Sequence, residues 1–202
     1  DEIMNEKFTA KQNERIARVM EKMKENGLEQ LLISDPKSIA FLTGIFVDPY
    51  ERLWALLLKS NGEHVFFMNT LFFVSETGYK EVWFTDMDDQ IGLIMENIDK
   101  EGTLGIDKTW AARFLIPLQE RCPNLKTVWG SNCVDDVRAE KDEEEIALMK
   151  KASEINDTVM ERVAEYIKEG MTEEEVLQES SRCLRCDHYG YGNFRGGRMR
   201  QW

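Results

Sequence analysis

The clearest β-sheet signal in the chain is the segment LWALLLKSNGEHVFFM, residues 53–68. Two apolar runs, residues 53–59 and 64–68, lie on either side of a Ser-Asn-Gly segment. Asn-Gly is the strongest short-range signal for a β-hairpin, because both residues tolerate the left-handed backbone of a tight turn. The stretch therefore predicts two antiparallel strands joined by a short turn.

The residues before this hairpin predict a helix, a strand and a second, short helix. Thr9 and Gln12 form a capping box in front of apolar residues at helical spacing, and Gly27 is placed to end that helix. Residues 28–34 predict a buried strand. Residues 35–44 begin with Asp-Pro and end with Gly, which predicts a short helix with a cap at each end.

After the hairpin, strand-like runs alternate with helical patterns. Pro117 is expected to kink or shorten the second of these helices, because proline cannot donate an intrahelical hydrogen bond. The alternation, together with the hairpin, predicts an α/β fold with a mixed β-sheet flanked by helices, over a domain at residues 8–136. The predicted strands are residues 82–84, 104–106 and 127–129, and the predicted helices are residues 90–98 and 109–122.

A long helix is predicted after this domain. Asp142 and Glu145 form a capping box, and Gly170 is placed to end the helix. Another capping box, immediately afterwards, predicts a further helix. Residues 137–179 are therefore interpreted as linker helices leading towards a second domain. The apolar stripe of the long helix consists of Leu148, Ala152, Ile155, Val159, Val163 and Ile167.

Residues 180–202 differ in composition from the rest of the chain. They contain five arginines, no lysine and one acidic residue, whereas the whole chain has a net charge of −12. The segment is interpreted either as a basic, flexible tail or as a sequence that is not the native continuation of the gene.

The overall composition narrows the possible partners. A net charge of −12 opposes binding to phosphate backbones, so no nucleic-acid partner is expected. The apolar runs are too short to cross a bilayer and no signal peptide is recognised, so no membrane partner is expected. Four scattered cysteines favour a reducing compartment, and the predicted location is cytoplasmic.

Three segments resemble one known family, the creatinase/prolidase amino-terminal domain. Two of them are SIAFLTGI, residues 38–45, and GTLGIDKTW, residues 102–110. The third, VRAEKDEEEIALMKKASEINDTVMERVAEYIKEGMTEEEV at residues 137–176, resembles the family's linker most closely. It has the arginine, the Lys-Asp-Glu segment, the long helix and the Gly-Met-Thr-Glu turn of that linker. The likeness covers residues 8–178.

The resemblance implies a place in a larger enzyme. The family includes prolidase (Xaa-Pro dipeptidase), aminopeptidase P and creatinase, and its peptidases cleave bonds next to proline. Its catalytic half, the pita-bread fold, binds two divalent metal ions (manganese, cobalt or zinc) through two aspartates, one histidine and two glutamates. This chain has only His64 and His188, and nothing after Val176 resembles the entry to that half. The chain alone is therefore expected to bind no cofactor and to hydrolyse nothing.

The candidate site is the loop at residues 44–52. In the resembled family, this loop of one subunit in a homodimer reaches the partner's active site and helps to select the substrate, a proline-containing peptide. The alternative is an ordinary solvated loop in which the arginine makes a local ion pair. The side chains that the resemblance implies are Asp48, Glu51 and Arg52, with Phe41 and Phe46 as an apolar wall.

Other clusters have simpler interpretations. The acidic run at residues 142–145 predicts a solvated first turn of a helix, and the aspartates at 86, 88 and 89 predict a helix cap rather than a calcium loop. Cys183, Cys186 and His188 have the spacing of zinc ligands but lack a fourth, so free cysteines are favoured. A set of aromatic residues is predicted to be core rather than a nucleic-acid platform: Trp54, Phe66, Phe67, Phe72, Phe73, Trp83 and Phe84.

These observations leave three functional hypotheses. The first is the amino-terminal, non-catalytic domain of a proline-specific metallopeptidase, used for dimerisation and substrate shaping and separated here from the two-metal active site. The second is a free-standing, non-enzymatic module that dimerises or binds peptide. The third is the amino-terminal half of a creatinase-like amidinohydrolase.

Overall fold

The computed structural model describes residues 6–186. The chain divides into two compact units, with the boundary between Glu140 and Lys141. The two parts are called unit 1 and unit 2 below. The predicted domain limit at residue 136 falls inside the last helix of unit 1, which the sequence did not predict.

Unit 1 contains a six-stranded sheet and the helices that cover it. Its elements in chain order are α1 (Ala10–Glu25), β1 (Gln30–Ile33), α2 (Pro36–Thr43), β2 (Ala55–Lys59), β3 (Val65–Asn69), β4 (Lys80–Phe84), α3 (Gln90–Met95), β5 (Thr103–Ile106), α4 (Ala112–Arg121), β6 (Lys126–Trp129) and α5 (Asn132–Ala139).

The sheet has the strand order β4-β3-β2-β1-β5-β6. Strand β2 pairs antiparallel with both β1 and β3, whereas the remaining pairs are parallel. Five strands therefore run in one direction and β2 runs in the other. As a result, the carboxyl ends of those five strands and the amino end of β2 lie at the same edge, which is called the carboxyl edge below.

Both faces of the sheet are buried. Leu57 belongs to one hydrophobic cluster together with α3 and α4, whereas its neighbours Leu56 and Leu58 belong to the other, together with α1, α2 and α5. Side chains of a strand alternate between its two faces, so a continuous apolar run requires a layer of helices on each side. The predicted mixed sheet flanked by helices is confirmed.

Several helix ends agree with their local sequence signals. The Thr9 capping box is formed, since Thr9 Oγ1 accepts from the Gln12 N–H at 3.2 Å and Gln12 Oε1 accepts from the Thr9 N–H at 2.8 Å. Asp35 caps α2, which ends at Gly44 with a φ of 73°. Residues other than glycine rarely adopt this left-handed backbone conformation, so glycine is suited to this turn.

Pro117 lies inside α4, which at Ala112–Arg121 is shorter than the predicted helix at residues 109–122. One prediction of local structure needs correction. Phe73 and Trp83 are not core residues, since Phe73 is fully exposed and Trp83 is 39% exposed. Trp54, Phe66, Phe67 and Phe84 are buried as predicted, and Phe72 is partly buried. Periodicity alone does not identify Phe73 as a loop residue and Trp83 as a residue of an edge strand.

Unit 2 consists, within the described residues, of α6 (Glu143–Tyr166) and α7 (Glu173–Cys186). Both predicted capping boxes are present. A small cluster joins the helices through Val159, Val163 and Cys183. Helix α7 includes the first seven residues of the predicted basic tail, and residues 187–202 lie outside the described part. None of the helices in residues 6–186 is long and apolar enough to cross a membrane.

Candidate functional site

Polar side chains and three loops meet at the carboxyl edge of unit 1. The candidate loop enters β2 at this edge, because β2 runs opposite to its neighbours. The segments that follow β3 and β4 leave the sheet at the same edge. The topology therefore brings together residues that are far apart in the sequence.

The amino end of the candidate loop is fixed to α2. Thr43, which is buried, donates from Oγ1 to the Ile39 carbonyl at 2.7 Å and accepts from the Ile45 N–H at 3.1 Å. The Gly44 N–H donates to the Ala40 carbonyl at 2.8 Å. The loop thus leaves the helix in a defined direction.

The other end of the loop is fixed by a polar cluster around Asp86. Arg52 Nε donates to the two carboxylate oxygens of Asp86 at 3.2 and 3.1 Å. Asn69 is completely buried; its Nδ2 donates to Asp86 at 2.7 Å, and its Oδ1 accepts from the Leu71 N–H at 3.0 Å. The hydrogen bond from Arg52, with that from Asn69, lowers the pKa of Asp86. One carboxylate therefore joins the three loops.

The tip of the loop lies between these two anchors and is exposed. Tyr50 is 81% exposed and has a φ of 51°, a left-handed conformation that is uncommon for an aromatic residue. Its N–H lies 3.4 Å from Asp48 Oδ1, and the Arg52 N–H donates to the Pro49 carbonyl at 2.9 Å. Glu51 forms an ion pair with Arg52 at 3.3 Å. The sequence analysis did not single out Tyr50, because side-chain exposure and φ leave no signal in the sequence.

The structure places four of the five predicted site residues on this loop and Phe41 on α2. Phe46 is about half exposed, and Asp48 and Glu51 are exposed. Phe41 is partly buried in the same cluster as Ile45 and Val47. The guanidinium carbon of Arg15 lies 4.0 Å from the centre of the Phe41 ring. Phe41 therefore supports the base of the loop, while its role as an apolar wall stays a prediction.

A second polar cluster fills the carboxyl edge between β1 and β5. In sheets of this type, ligands commonly bind where the chain leaves two neighbouring strands in opposite directions. Here Asp107, which is buried, accepts the backbone N–H groups of Ser34 and Asp35 at 2.8 and 2.7 Å and the Ser34 hydroxyl at 2.8 Å. Thr109 donates its N–H to Asp107 at 3.2 Å. These hydrogen bonds satisfy the carboxylate and hold the two strands together.

The remaining aspartates near α3 have structural partners. Asp89 is the N-cap of α3 and accepts from the Gly92 N–H at 3.0 Å. The hydrogen bond from Arg121 and the one from Gly92 lower the pKa of Asp89 to about 2. Asp88 accepts from the Thr85 N–H at 2.6 Å. The prediction of a helix cap is confirmed for Asp89.

The donor set of a two-metal centre is not assembled in the described part of the chain. Within it, no group of three or more His, Cys, Asp or Glu side chains could hold a metal ion. Cys122, Cys133 and Cys183 are free and buried, and burial raises the pKa of the Cys133 thiol. His188, which completes the zinc-like spacing of the sequence, lies outside the described residues, and the Cys186 side chain is not described. The side chains described between residues 6 and 186 therefore do not provide the ligand set for the two metals that the resemblance implies.

The fold and its carboxyl-edge loops define an α/β domain built on a mixed, doubly covered sheet. The family model of the "Creatinase/Prolidase N-terminal domain" matches residues 15–140. The chain belongs to this family, as the three resembling segments predicted.

Curated relatives and solved structures agree with this assignment. An uncharacterised peptidase of Staphylococcus saprophyticus is 30% identical over 172 residues, covering 81% of this chain and 47% of the relative. A dipeptidase from Mycobacterium ulcerans has a TM-score of 0.76 at 23% identity, covering 87% of this chain and 49% of that chain. A prolidase from Thermococcus sibiricus has a TM-score of 0.75 at 24% identity, and the match covers 88% of this chain and 50% of that prolidase chain. The chain thus spans about half the length of these relatives.

Proposed function

We propose that this chain is the amino-terminal, non-catalytic domain of a proline-specific peptidase of the Xaa-Pro dipeptidase or aminopeptidase P type. The observation that carries the proposal is the family match over residues 15–140 in a chain that spans about half of relatives named as peptidases. In this proposal the chemistry belongs to a catalytic half, which would hold two divalent metal ions (manganese, cobalt or zinc). The protein would act in the cytoplasm as a homodimer.

The loop at the carboxyl edge would shape the substrate site of the partner subunit. The support is geometric, because both ends of the loop are fixed, by Thr43 and by the Arg52–Asp86 pair, while its tip is exposed. A fixed loop can present side chains to a peptide at little further cost in conformational entropy. The side chains proposed to select the proline-containing peptide are Phe46, Asp48, Glu51 and Arg52, with Phe41 supporting the loop from α2.

A chimeric enzyme tests this role. Residues 15–140 would replace the matching domain of the Staphylococcus saprophyticus peptidase, and hydrolysis of Xaa-Pro dipeptides would be measured with manganese added. We expect the chimera to hydrolyse them and Arg52→Ala to raise KM more than it lowers kcat, because Arg52 positions substrate without reacting. Lys100→Ala is the matched control, since Lys100 is exposed before β5, at the opposite edge of the sheet.

Each result has a defined meaning. Equal kinetic constants for Arg52→Ala and the Lys100→Ala control would refute the substrate-shaping role. Absence of Xaa-Pro hydrolysis by the intact staphylococcal relative itself would refute the proline-specific assignment. Hydrolysis by the isolated chain would refute its assignment as non-catalytic.

The nucleotide sequence of the native locus gives an independent test. Reading from the codon of Glu179 onward in all three frames, we expect a catalytic domain with two aspartates, one histidine and two glutamates. A gene without such a domain in any frame would favour the second candidate, a free-standing peptide-binding module. The observation that favours this candidate is the set of exposed apolar side chains at the carboxyl edge.

A further inference from the structure

Three loops at the carboxyl edge each expose large apolar side chains. Tyr50 is 81% exposed on the loop before β2, Phe73 is fully exposed after β3, and Met87 is 93% exposed after β4. Phe46 and Leu71, on the first two loops, are about half exposed. Exposed apolar side chains that are grouped on one surface of a folded protein often mark a binding site, whereas scattered single ones do not. Residues 45–54, 69–73 and 85–89 are called the edge surface below.

Hydrogen bonds and ring packing hold the three loops together. Asp86 accepts from Arg52 of the first loop and from Asn69 of the second. The rings of Trp54 and Phe72 pack edge to face, with centres 5.8 Å apart. In addition, the Thr70 N–H donates to the Phe84 carbonyl at 2.8 Å. The exposed side chains therefore project from loops that these contacts hold in fixed positions.

The charge of the edge surface is negative. Its residues include five acidic side chains and one basic side chain, Arg52. Asp86 and Glu51 are both paired with Arg52, and Asp89 is paired with Arg121 of α4. Asp48 and Asp88 accept hydrogen bonds from backbone N–H groups, which leave their negative charge in place. A second copy presenting the same surface would be repelled, whereas a cationic ligand would be attracted.

We propose that the edge surface is a docking site for a short peptide segment that combines apolar side chains with positive charge. The apolar side chains would cover Phe73, Met87 and Tyr50, and the cationic groups would lie near Asp48 and Glu51. This inference rests on the proposed function, because both use the loop before β2. It adds the chemistry of the peptide that would bind there. It extends the site to the loops after β3 and β4, which the sequence analysis did not include.

Direct binding to the chain tests the inference without any catalysis. The probe is the peptide Lys-Phe-Pro-Leu-Lys with a fluorophore attached through a carboxyl-terminal amide bond, and fluorescence anisotropy gives its Kd. The control peptides are Glu-Phe-Pro-Leu-Glu, which reverses the charge, and Lys-Ser-Pro-Ser-Lys, which removes the apolar side chains. We expect the Kd of the first peptide to be lower than that of either control by about tenfold or more, because apolar and charged contacts both contribute.

Variants locate the site. Phe73→Ser with Met87→Ser is expected to weaken binding about tenfold, because exposed apolar anchors dominate such contacts. Ile116→Ser on α4 is the matched control, since Ile116 is 53% exposed outside the edge surface. Asp48→Asn with Glu51→Gln is expected to weaken binding and to reduce its salt dependence, whereas Glu120→Gln is not. Since all these side chains are exposed or half exposed, the variants are expected to fold.

Three results would overturn the inference. The first is failure of the Lys-Phe-Pro-Leu-Lys peptide to bind more tightly than both control peptides. The second is equal binding by the Phe73→Ser, Met87→Ser protein and the Ile116→Ser protein. The third is equal binding by the charge variants and Glu120→Gln. If Arg52→Ala raises the KM of the chimera and any of these three results is also obtained, the docking site is refuted while the proposed function stands.

Discussion

Helices in unit 1 and unit 2 carry similar apolar stripes, but the stripes differ in how far they are buried. The stripe of α1 is buried at Ile16, Val19 and Met23. In α6, only Val159 and Val163 are buried. Other large apolar residues of α6 are exposed: Ile146, Leu148, Met149 and Met160, with Ile167 at the C-cap of the helix.

An amphipathic pattern therefore specifies a helix but not the surface against which the helix packs. The stripe of α1 packs against a sheet, whereas that of α6 is partly covered by the single helix α7. The core clusters of unit 1 consist of residues up to Val137, and the cluster of unit 2 begins at Ile155. We therefore expect unit 1 to carry most of the stability measured for this chain.

The largest effect is expected from a cavity in the hydrophobic core on one face of the sheet. Phe67 is completely buried in β3, and Phe67→Ala should lower the free energy of unfolding by about 3–5 kcal/mol, because a large side chain leaves a cavity behind. Urea denaturation followed by circular dichroism measures the change.

A matched control uses the same residue type at the surface. Phe73→Ala should change the free energy of unfolding by less than about 0.5 kcal/mol, since Phe73 is fully exposed.

Val163→Ala in α6 should leave the main unfolding transition in place. If Val163→Ala lowered the free energy of unfolding as much as Phe67→Ala, unit 1 would not carry most of the stability.

The next effect is a dependence of stability on pH that arises from His64. Its Nδ1 accepts from the Lys59 N–H at 3.1 Å, and burial lowers the pKa of His64 from 6.5 to about 4. The unfolded chain takes up a proton as the pH falls through 6.5, while the folded protein stays neutral. The stabilisation is therefore complete above pH 6.5 and is lost as the pH falls to about 4.

The expected size of this loss is about 3 kcal/mol, because each pKa unit corresponds to about 1.4 kcal/mol. Urea titrations at a series of pH values measure it. His64→Gln keeps an acceptor for the Lys59 N–H but does not titrate, so the decline between pH 6.5 and about 4 should become shallower. Profiles of equal slope for the two proteins would show that His64 is not the group responsible.

A smaller effect is expected from the support of the edge surface. Asn69→Ala removes the acceptor of the Leu71 N–H and a donor to Asp86, and it should cost about 2 kcal/mol, because Asn69 is buried. Asn124→Ala is the matched control, since Asn124 is exposed and donates to the Glu101 side chain at the surface. Similar unfolding energies for both variants would argue that the three loops are not part of the cooperative fold of unit 1.

The smallest effect is expected from removal of unit 2. A chain that ends at Glu140 should have the same unfolding midpoint within about 2 °C, because the core clusters of unit 1 contain only its own residues. Differential scanning calorimetry measures the midpoint. A fall of about 10 °C or more would show that unit 1 depends on the helices that follow.

Much of the fold could be predicted because its signals are local. The Asn-Gly turn predicted the hairpin, and the capping residues Thr9, Asp35 and Asp142 predicted three helix starts. Helix α5 was not predicted, since its Ser131 makes no side-chain capping hydrogen bond and its eight residues are too few for a clear period. In the candidate site, the sequence and the resemblance identified the loop, but not Asn69 or Tyr50.

Local patterns were sufficient to predict the α/β alternation and the helix starts, and three segments predicted the family. The contacts of Arg52 with Asp86, 34 positions away, and of Ser34 with Asp107, 73 positions away, follow from the tertiary structure alone. It also decided that Phe67 is buried and Phe73 is exposed. The physical reason is that periodicity and capping act over one turn or one strand, whereas these contacts depend on the strand order and on which loops the antiparallel β2 brings to the carboxyl edge.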